Sequence, residues 1–358
     1  MKCDYLIIGQ GLAGSILAYQ LLKKGKTVAI IDERKSSTSS RVAAGLANPF
    51  TGPKMVKTWR ADHLFPFLQT FYREIENEIN ASFFSERTIY RPFTSIAELN
   101  DWDGRSVQSN YQKFIKNICT KEAHSKYVYD PIGGVEIHGF VLNVPKFLDT
   151  MHPYFLERCN YLEERFDEAN LELTDSGIKY HDIRAGKIIF CSGHQILNSK
   201  FFGWIPITPV KGEVLHLKMN LDFETIYNKS CFIIPQMNGY FKAGSTYNRS
   251  DLSNEPTEKG KNEIIKKLEA LMKMKYEIVK HEAGIRPGTV TRKPLIGFHP
   301  AHQQLAIFNG LGSKGVSIAP FFSDQLVKCL EDGNNLDEEV DIKKYYSLYF
   351  KSQFSTIN

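Results

Sequence analysis

Apolar and polar positions along this chain follow two rhythms, one set by strands and one by helices. The run Tyr5-Leu-Ile-Ile8 is short and unbroken, as a strand buried on both faces requires, and it leads straight into Gly9-Gln-Gly11-Leu-Ala-Gly14. A helix is predicted from about Leu12 to Lys24, ended by Gly25. Thr27-Val-Ala-Ile-Ile31 is a second strand, closing on Asp32-Glu33. The strand-then-glycine pattern returns at Lys187-Ile-Ile-Phe-Cys-Ser192-Gly193 and at Leu305-Ala-Ile-Phe-Asn-Gly310-Leu-Gly312-Ser313-Lys314-Gly315. The second of these opens a helix over Ser317 to Leu330, in which Pro320 is tolerated if it falls in the first turn.

Elsewhere the period changes. Cys231 to Tyr247 reads as a hairpin turned at Asn238-Gly239. On its returning strand Tyr240, Lys242, Gly244 and Thr246 share one face. Residues 259–275 read as an amphipathic helix with Ile264, Ile265, Leu268, Leu271 and Met272 as its apolar stripe and lysines on the solvated side.

The opening segment carries chemistry. Gly9 permits a tight turn, Gly11 lets backbone approach a pyrophosphate, and Gly14 lets the next helix pack on the sheet; Leu12 and Ala13 complete the turn. Asp32 stands about 20 residues beyond the glycines, where a ribose hydroxyl is gripped in dinucleotide folds, and Glu33 and Arg34 follow it. Strand, turn, helix, strand and terminal acid in this order predict dinucleotide binding. A small-residue loop, Ser39 to Pro49 with Ala44, Gly45 and Leu46 at its centre, and the two later glycine strands imply one extended cofactor touched by the start, middle and end of the chain. A nicotinamide domain would be complete within its local units, and no second Gly-x-Gly-x-x-Gly appears. The dinucleotide is therefore expected to be FAD.

Composition adds limits. With 358 residues, 42% hydrophobic and 24% charged, the chain suits a soluble protein of two domains sharing an interface. A net charge of +5 permits an anionic partner without demanding one. The six cysteines are scattered without a Cys-x-x-Cys pair, which argues against a zinc site and fits a reducing compartment. No histidine arrangement supports metal or hydrolase chemistry, so no metal is expected. No run approaches the ~18–20 apolar residues of a membrane span. The amino terminus is already a strand, leaving no room for a signal peptide, so a cytoplasmic location is expected.

Ala283-Gly-Ile-Arg286-Pro-Gly-Thr-Val-Thr-Arg292-Lys-Pro-Leu-Ile-Gly297 is similar to the Gly-hydrophobic-Arg-Pro…Pro-x-x-Gly signature of glycine oxidases. Gly310 to Pro320 resembles the corresponding loop of a tRNA wobble-uridine-modifying enzyme. The chain thus resembles the D-amino-acid-oxidase-type FAD oxidoreductases over nearly its whole length. The resemblance implies a fold of α/β plus α+β type, a Rossmann-like FAD-binding domain carrying an inserted antiparallel-sheet substrate domain. It parses as 1–79, 137–210 and 288–358 for FAD, with 80–136 and 211–287 for substrate. The aromatic stretch from Phe83 to Phe93 and the hairpins after Lys211 fall in the second part.

The resemblance also implies an activity: oxidation of the C–N bond of an amino acid or N-substituted glycine, with O₂ as the acceptor of electrons. Arg286 would anchor the substrate carboxylate, with a structural arginine paired to an acid as the alternative; Arg292 is a weaker second cation. Relatives with covalent flavin have a cysteine at the Arg286 place, so FAD would be held without that bond. Lys242 resembles a lysine of sarcosine oxidases that sits near flavin N5 and activates oxygen; the alternative is a solvent-facing strand lysine. Residues 310–315, with Ser313 and Lys314, would aim a helix N-terminus at the flavin N1–C2 edge. Three other outcomes stay open: modification of a tRNA carboxymethylaminomethyl group, with Pro53 to Arg60 (Trp59 and Arg60 above all) as a nucleic-acid rim, electron transfer to an acceptor other than oxygen, and a flavin-binding protein without turnover.

Overall fold

The computed structural model describes residues 1–52, 54–220 and 223–355. Along the first half run β1 (Lys2–Ile8), α1 (Leu12–Lys23), β2 (Val28–Ile31), α2 (Ser39–Val42), β3 (Leu46–Ala47), β4 (Phe50–Thr51), β5 (Val56–Lys57), α3 (Ala61–Ile79), β6 (Phe84–Pro92), α4 (Ile96–Ser106), α5 (Ser109–Gln112), β7 (Ile115–Cys119), β8 (Gly134–Leu142) and α6 (Val144–Arg158). Then come β9 (Asn160–Leu162), β10 (Leu171–Thr174), β11 (Gly177–Tyr180), β12 (Ile183–Phe190), β13 (Val210–Lys218), β14 (Ile226–Lys229), β15 (Cys231–Pro235) and β16 (Tyr240–Gly244). The chain closes with α7 (Glu258–Leu271), β17 (Glu277–Arg286), β18 (Leu295–Phe298), β19 (Leu305–Asn309), α8 (Gly315–Asp332) and α9 (Tyr346–Ser355).

Two large sheets organise these elements. In the first, β9, β2, β1, β12 and β19 lie side by side and parallel; β11 pairs antiparallel with β12, β10 antiparallel with β11, and β18 antiparallel with β19. Ile8 is in register with Phe190 and Ile31, and Phe190 with Ile307. The carboxyl ends of β1, β2, β12 and β19 therefore form one edge, which is where parallel α/β sheets bind ligands. The four residues of β2 are all buried, as a strand covered on both faces requires: Val28 and Ile30 pack with α1 residues, and Ala29 and Ile31 with Leu171, Tyr180 and Phe202. This is the expected α/β part of the fold.

The second sheet is nine-stranded, with the order β17-β13-β16-β15-β14-β6-β8-β3 and β7 beside β8. The β15–β16 hairpin turns at Asn238 and Gly239, both at positive φ, as that dipeptide predicts. Alternation along β16 sends Phe241 and Ala243 into a core capped by Ile264, Leu268 and Leu271 of α7, and Lys242 to the other face. Met272, expected within that helix, is buried just past its end. This sheet also takes in chain from both sides of the break expected at 136/137, because β8 runs through it. The break at 210/211 falls one residue into β13.

Pro320 departs from its expected place in a first turn. It lies inside α8, where it leaves the Val316 carbonyl without its intrahelical donor. The buried Tyr72 hydroxyl of α3 donates to that carbonyl at 3.0 Å, and α8 continues to Asp332.

Candidate active site

The glycine turn is built by close packing. Gly9 has a φ of +99°, and a Cβ on Gly14 would overlap the Gly9 carbonyl oxygen, so the start of α1 rests directly on the end of β1. Gly11 precedes α1 without a side-chain cap, leaving the positive end of the helix toward the sheet edge. The Leu12 N–H donates to Ser40 Oγ (3.1 Å), which ties the turn to the small-residue loop.

Asp32 braces the same turn. One carboxylate oxygen accepts from the Gln10 N–H and the other from the Arg34 N–H, both at 2.7 Å. Each oxygen keeps a lone pair, so the group can hold the turn and still accept from ribose hydroxyls. Glu33 differs: it pairs with Lys35 at 2.6 Å. Arg34 has a buried Nε with no partner among the described residues. In the loop that follows, Ala43 and Ala44 line a cavity described below, Gly45 sits at positive φ against Leu142, and Leu46 pairs with Val141.

The later glycine strands converge on this edge. Gly193 has positive φ, and its carbonyl accepts from Asn309 Nδ2 at 2.9 Å; Asn309 Oδ1 accepts from the Gly310 N–H at 2.8 Å. Asn309 thus fastens Ser192-Gly193 to the loop of Gly310 and Gly312, both at positive φ. It is a residue sequence reasoning missed, signalled only by its place at the end of an apolar strand. Ser313 and Lys314 lead into α8, whose N-terminus has no side-chain cap. A Cβ on Gly315 would stand 3.0 Å from Leu12 Cδ2, so the N-termini of α1 and α8 meet. Lys314 donates to Thr51 Oγ1 (3.3 Å), and burial lowers its pKa, with Arg292 adding to the effect.

Arg286 and Lys242 project from one face of the second sheet. On β13, Arg286 is in register with Val210 and Lys242 with His216. That offset is about 20 Å along the strand at ~3.3 Å per residue, so the structure gives the two cations a common face and no mutual contact. The Arg286 guanidinium lies over Gly212, where a Cβ would overlap it. It donates to Ser245 Oγ (2.8 Å) and to the Thr246 carbonyl (3.3 Å). Among the described residues no carboxylate pairs with it, so the alternative of an arginine spent on an internal acid does not hold. Burial lowers its pKa from the ordinary arginine value.

Lys242 is 6% exposed, which removes the solvent-facing alternative. Its ammonium donates to the carbonyls of Ala43 (3.1 Å) and Val42 (3.3 Å). Burial pulls its pKa down to about 8, with Glu282 opposing part of the shift. Beside it lies a cavity of about 110 Å³ lined by Ala43, Ala44, Asn143, His216 and Gln236. His216 bonds Glu282 at 2.5 Å, and this contact, with Lys280, holds the Glu282 carboxyl down at about 2. His216 and Gln236 are further pocket residues the sequence did not reveal.

Trp59 and Arg60, the residues chiefly expected to form a nucleic-acid rim, are engaged internally. Trp59 stacks on Phe322 (5.3 Å between centroids) and donates to Glu339, while Arg60 pairs with Glu339 and Asp337. Pro53, the first residue of that stretch, lies outside the described residues. On α7, Lys261 and Lys267 pair with Glu258 and Glu263. Among the described residues no helix is long and apolar enough to cross a membrane.

Known proteins resemble this one throughout. The glycine oxidase of Bacillus licheniformis is 31% identical, over 89% of this chain and 90% of its own. That of Bacillus subtilis is 26% identical over 89% and 91%. The tRNA 5-methylaminomethyl-2-thiouridine biosynthesis bifunctional protein MnmC of Leptospira interrogans is 24% identical over 95% of this chain, which spans 59% of that longer protein. The crystal structure of glycine oxidase from Geobacillus kaustophilus shares the fold, with a TM-score of 0.79, 17% identity, and coverage of 96% of this chain and 98% of that one. Residues 4–328 match the family of FAD dependent oxidoreductases known as DAO. With the glycine turn, the acid of β2 and two converging helix N-termini on one sheet edge, this chain belongs to the DAO family of FAD-dependent oxidoreductases.

Proposed function

We propose that this protein oxidises the C–N bond of an amino acid or N-substituted glycine, with Arg286 as the carboxylate anchor. The observation that carries the reading is a half-buried guanidinium with no acid partner among the described residues, presented on the sheet face that packs against the Ser39–Leu46 loop. Its two hydrogen bonds go to neutral oxygens, so its charge is unspent, and its planar fork suits a carboxylate bidentately. Fixing the carboxylate fixes the attached Cα–H, a gain of position rather than of acid–base catalysis. The named relatives that act on glycine support this substrate class.

The residues fit FAD. Gly9 to Gly14 and the N-terminus of α1 suit the pyrophosphate, and Asp32 suits a ribose. Backbone at Ala44 to Leu46 and at Ser192-Gly193 would lie along the cofactor, and α8 would present its positive end from Gly310 to Gly315. Bound there, FAD supplies the hydride acceptor, its N5. Lys242 keeps a cation at the Val42–Ala43 backbone, where it would stabilise charge developing on O₂. In this reading the FAD part comprises 1–79, 137–210 and 288–358, with the β8 portion serving the second sheet.

Anaerobic mixing with glycine, sarcosine and other small amines should bleach the flavin absorbance, and air should restore it. No bleaching by any of them would overturn the reading. A modified tRNA is the second reading, favoured by the similarity to MnmC over 95% of this chain. Trp59 and Arg60 would not form its rim, since both are tied to Glu339. Bleaching by tRNA bearing carboxymethylaminomethyluridine, with binding that weakens as salt rises, would select it. Air that fails to restore the colour would point to an acceptor other than oxygen.

A further inference from the structure

On the sheet face opposite Lys242, three side chains with metal-ligand chemistry converge. Cys119 ends β7 and Glu136 lies on β8, on the same face, because Cys119 is in register with Gly134, two residues before Glu136. His124, from the loop after β7, lies across them with its ring 3.9 Å from the ring of Tyr90. The thiol sulfur, an imidazole nitrogen and a Glu136 oxygen all lie within 4.8 Å of one another. Cys119 is buried, and the other two are half-buried.

Glu136 has His124 as its ion-pair partner (3.2 Å), and among the described residues neither Glu136 nor the neighbouring Asp130 is paired with a lysine or arginine. Asp130 is 1% exposed. Its Oδ2 accepts from the His124 N–H (2.7 Å) and the Tyr90 hydroxyl (2.9 Å), yet its Oδ1 is buried with no partner among the described residues. A buried carboxylate oxygen left unsatisfied is costly and points to a missing group. His124 Nδ1 meets the Tyr227 hydroxyl at 3.1 Å, the outer contact that orients an imidazole ligating through Nε2.

We propose that Cys119 Sγ, His124 Nε2 and a Glu136 oxygen bind one divalent cation of the zinc class. A sulfur, a nitrogen and an oxygen donor suit Zn²⁺ and disfavour Mg²⁺ or Ca²⁺. Bonds of about 2.0–2.3 Å require the donors to draw in by roughly 1 Å. The fourth position takes a water, the donor that Asp130 Oδ1 lacks. Binding expels the thiol proton to solvent. The metal would pin the chain between β7 and β8 to the sheet, on the side away from the flavin face. The spacing 119–124–136 matches no zinc motif, so the sequence argument against zinc did not reach it.

The test is zinc titration of the flavin-loaded protein against a chromophoric chelator. One equivalent should bind, and Cys119→Ser and Glu136→Gln should each weaken it at least ~100-fold while flavin content stays unchanged. Tyr227→Phe, a change outside the ligands, should weaken it about 10–100-fold. Should a variant fail to fold, cobalt added to the unaltered protein gives the second readout, a thiolate-to-cobalt charge-transfer band in the difference spectrum. No stoichiometric zinc, flavin-loaded variants that bind like the parent, or cobalt without that band would each overturn the assignment.

Discussion

The guanidinium of Arg286 occupies the space that a side chain on Gly212 would fill. β13 and β17 are paired along their whole length, and a glycine at this position lets the arginine fold back across β13 to Ser245 and Thr246. Replacing Gly212 with Ala should displace the guanidinium, the movable end of a flexible side chain, and spare the backbone. Substrate KM should rise about 10-fold or more, the scale of ~1.5–3 kcal/mol for a charged hydrogen bond, with FAD still bound. Steady-state kinetics beside a flavin titration checks this; an unchanged KM would detach Arg286 from the substrate.

Gly14→Ala should behave differently, because the overlap is with backbone. A Cβ would strike the Gly9 carbonyl oxygen, and neither β1 nor α1 can yield without opening the turn. The variant should be purified largely without FAD and lose roughly 3 kcal/mol or more of stability. Calorimetry and the flavin-to-protein absorbance ratio measure both effects. Full flavin content would mean that the turn tolerates a side chain.

Tyr72→Phe isolates the support given to α8. Removing the hydroxyl leaves the Val316 carbonyl unpaired beside Pro320, a cost of about 1–3 kcal/mol. Urea unfolding should show the loss with little change in substrate KM. Equal stability of the two proteins would show that water replaces the hydroxyl.

Lys242 gives a pH prediction with a definite sign. Its folded pKa of about 8 lies below the ordinary 10.5, so the folded chain disfavours the charged form. The penalty is carried in full below pH 8 and is relieved as pH rises from about 8 to 10.5. Lys242→Met should therefore raise the melting temperature at pH 7 by a few degrees, roughly the response to 1 kcal/mol, and the gain should fade toward pH 10.5. Reoxidation of the reduced parent should slow as pH rises through about 8, while the variant is slow and flat with pH. Stopped-flow oxygen mixing would expose the opposite result, a parent rate independent of pH.

Local pattern by itself determined a good part of this protein. The glycine turn, Asp32 at the end of β2, the Asn238-Gly239 hairpin and the apolar stripe of α7 are each set by residues close in sequence, where sterics, period and turn chemistry act directly. Other features depended on chain far removed. Asn309 acquires its role because β12 and β19 are adjacent and parallel; Gly212 matters because β17 pairs with β13. Tyr72 rescues the helix at Pro320 by bonding Val316, 244 residues away, because α3 packs on α8. Tertiary packing also decided how charge is spent: Trp59 and Arg60 turn to Glu339, while Arg286 turns to the neutral oxygens of Ser245 and Thr246. Cys119, His124 and Glu136 meet through strand register and a folded-back loop, geometry that no spacing rule encodes. Propensity and period act over a few residues, whereas burial, register and the partner of a charge are fixed only when distant segments exclude water from each other.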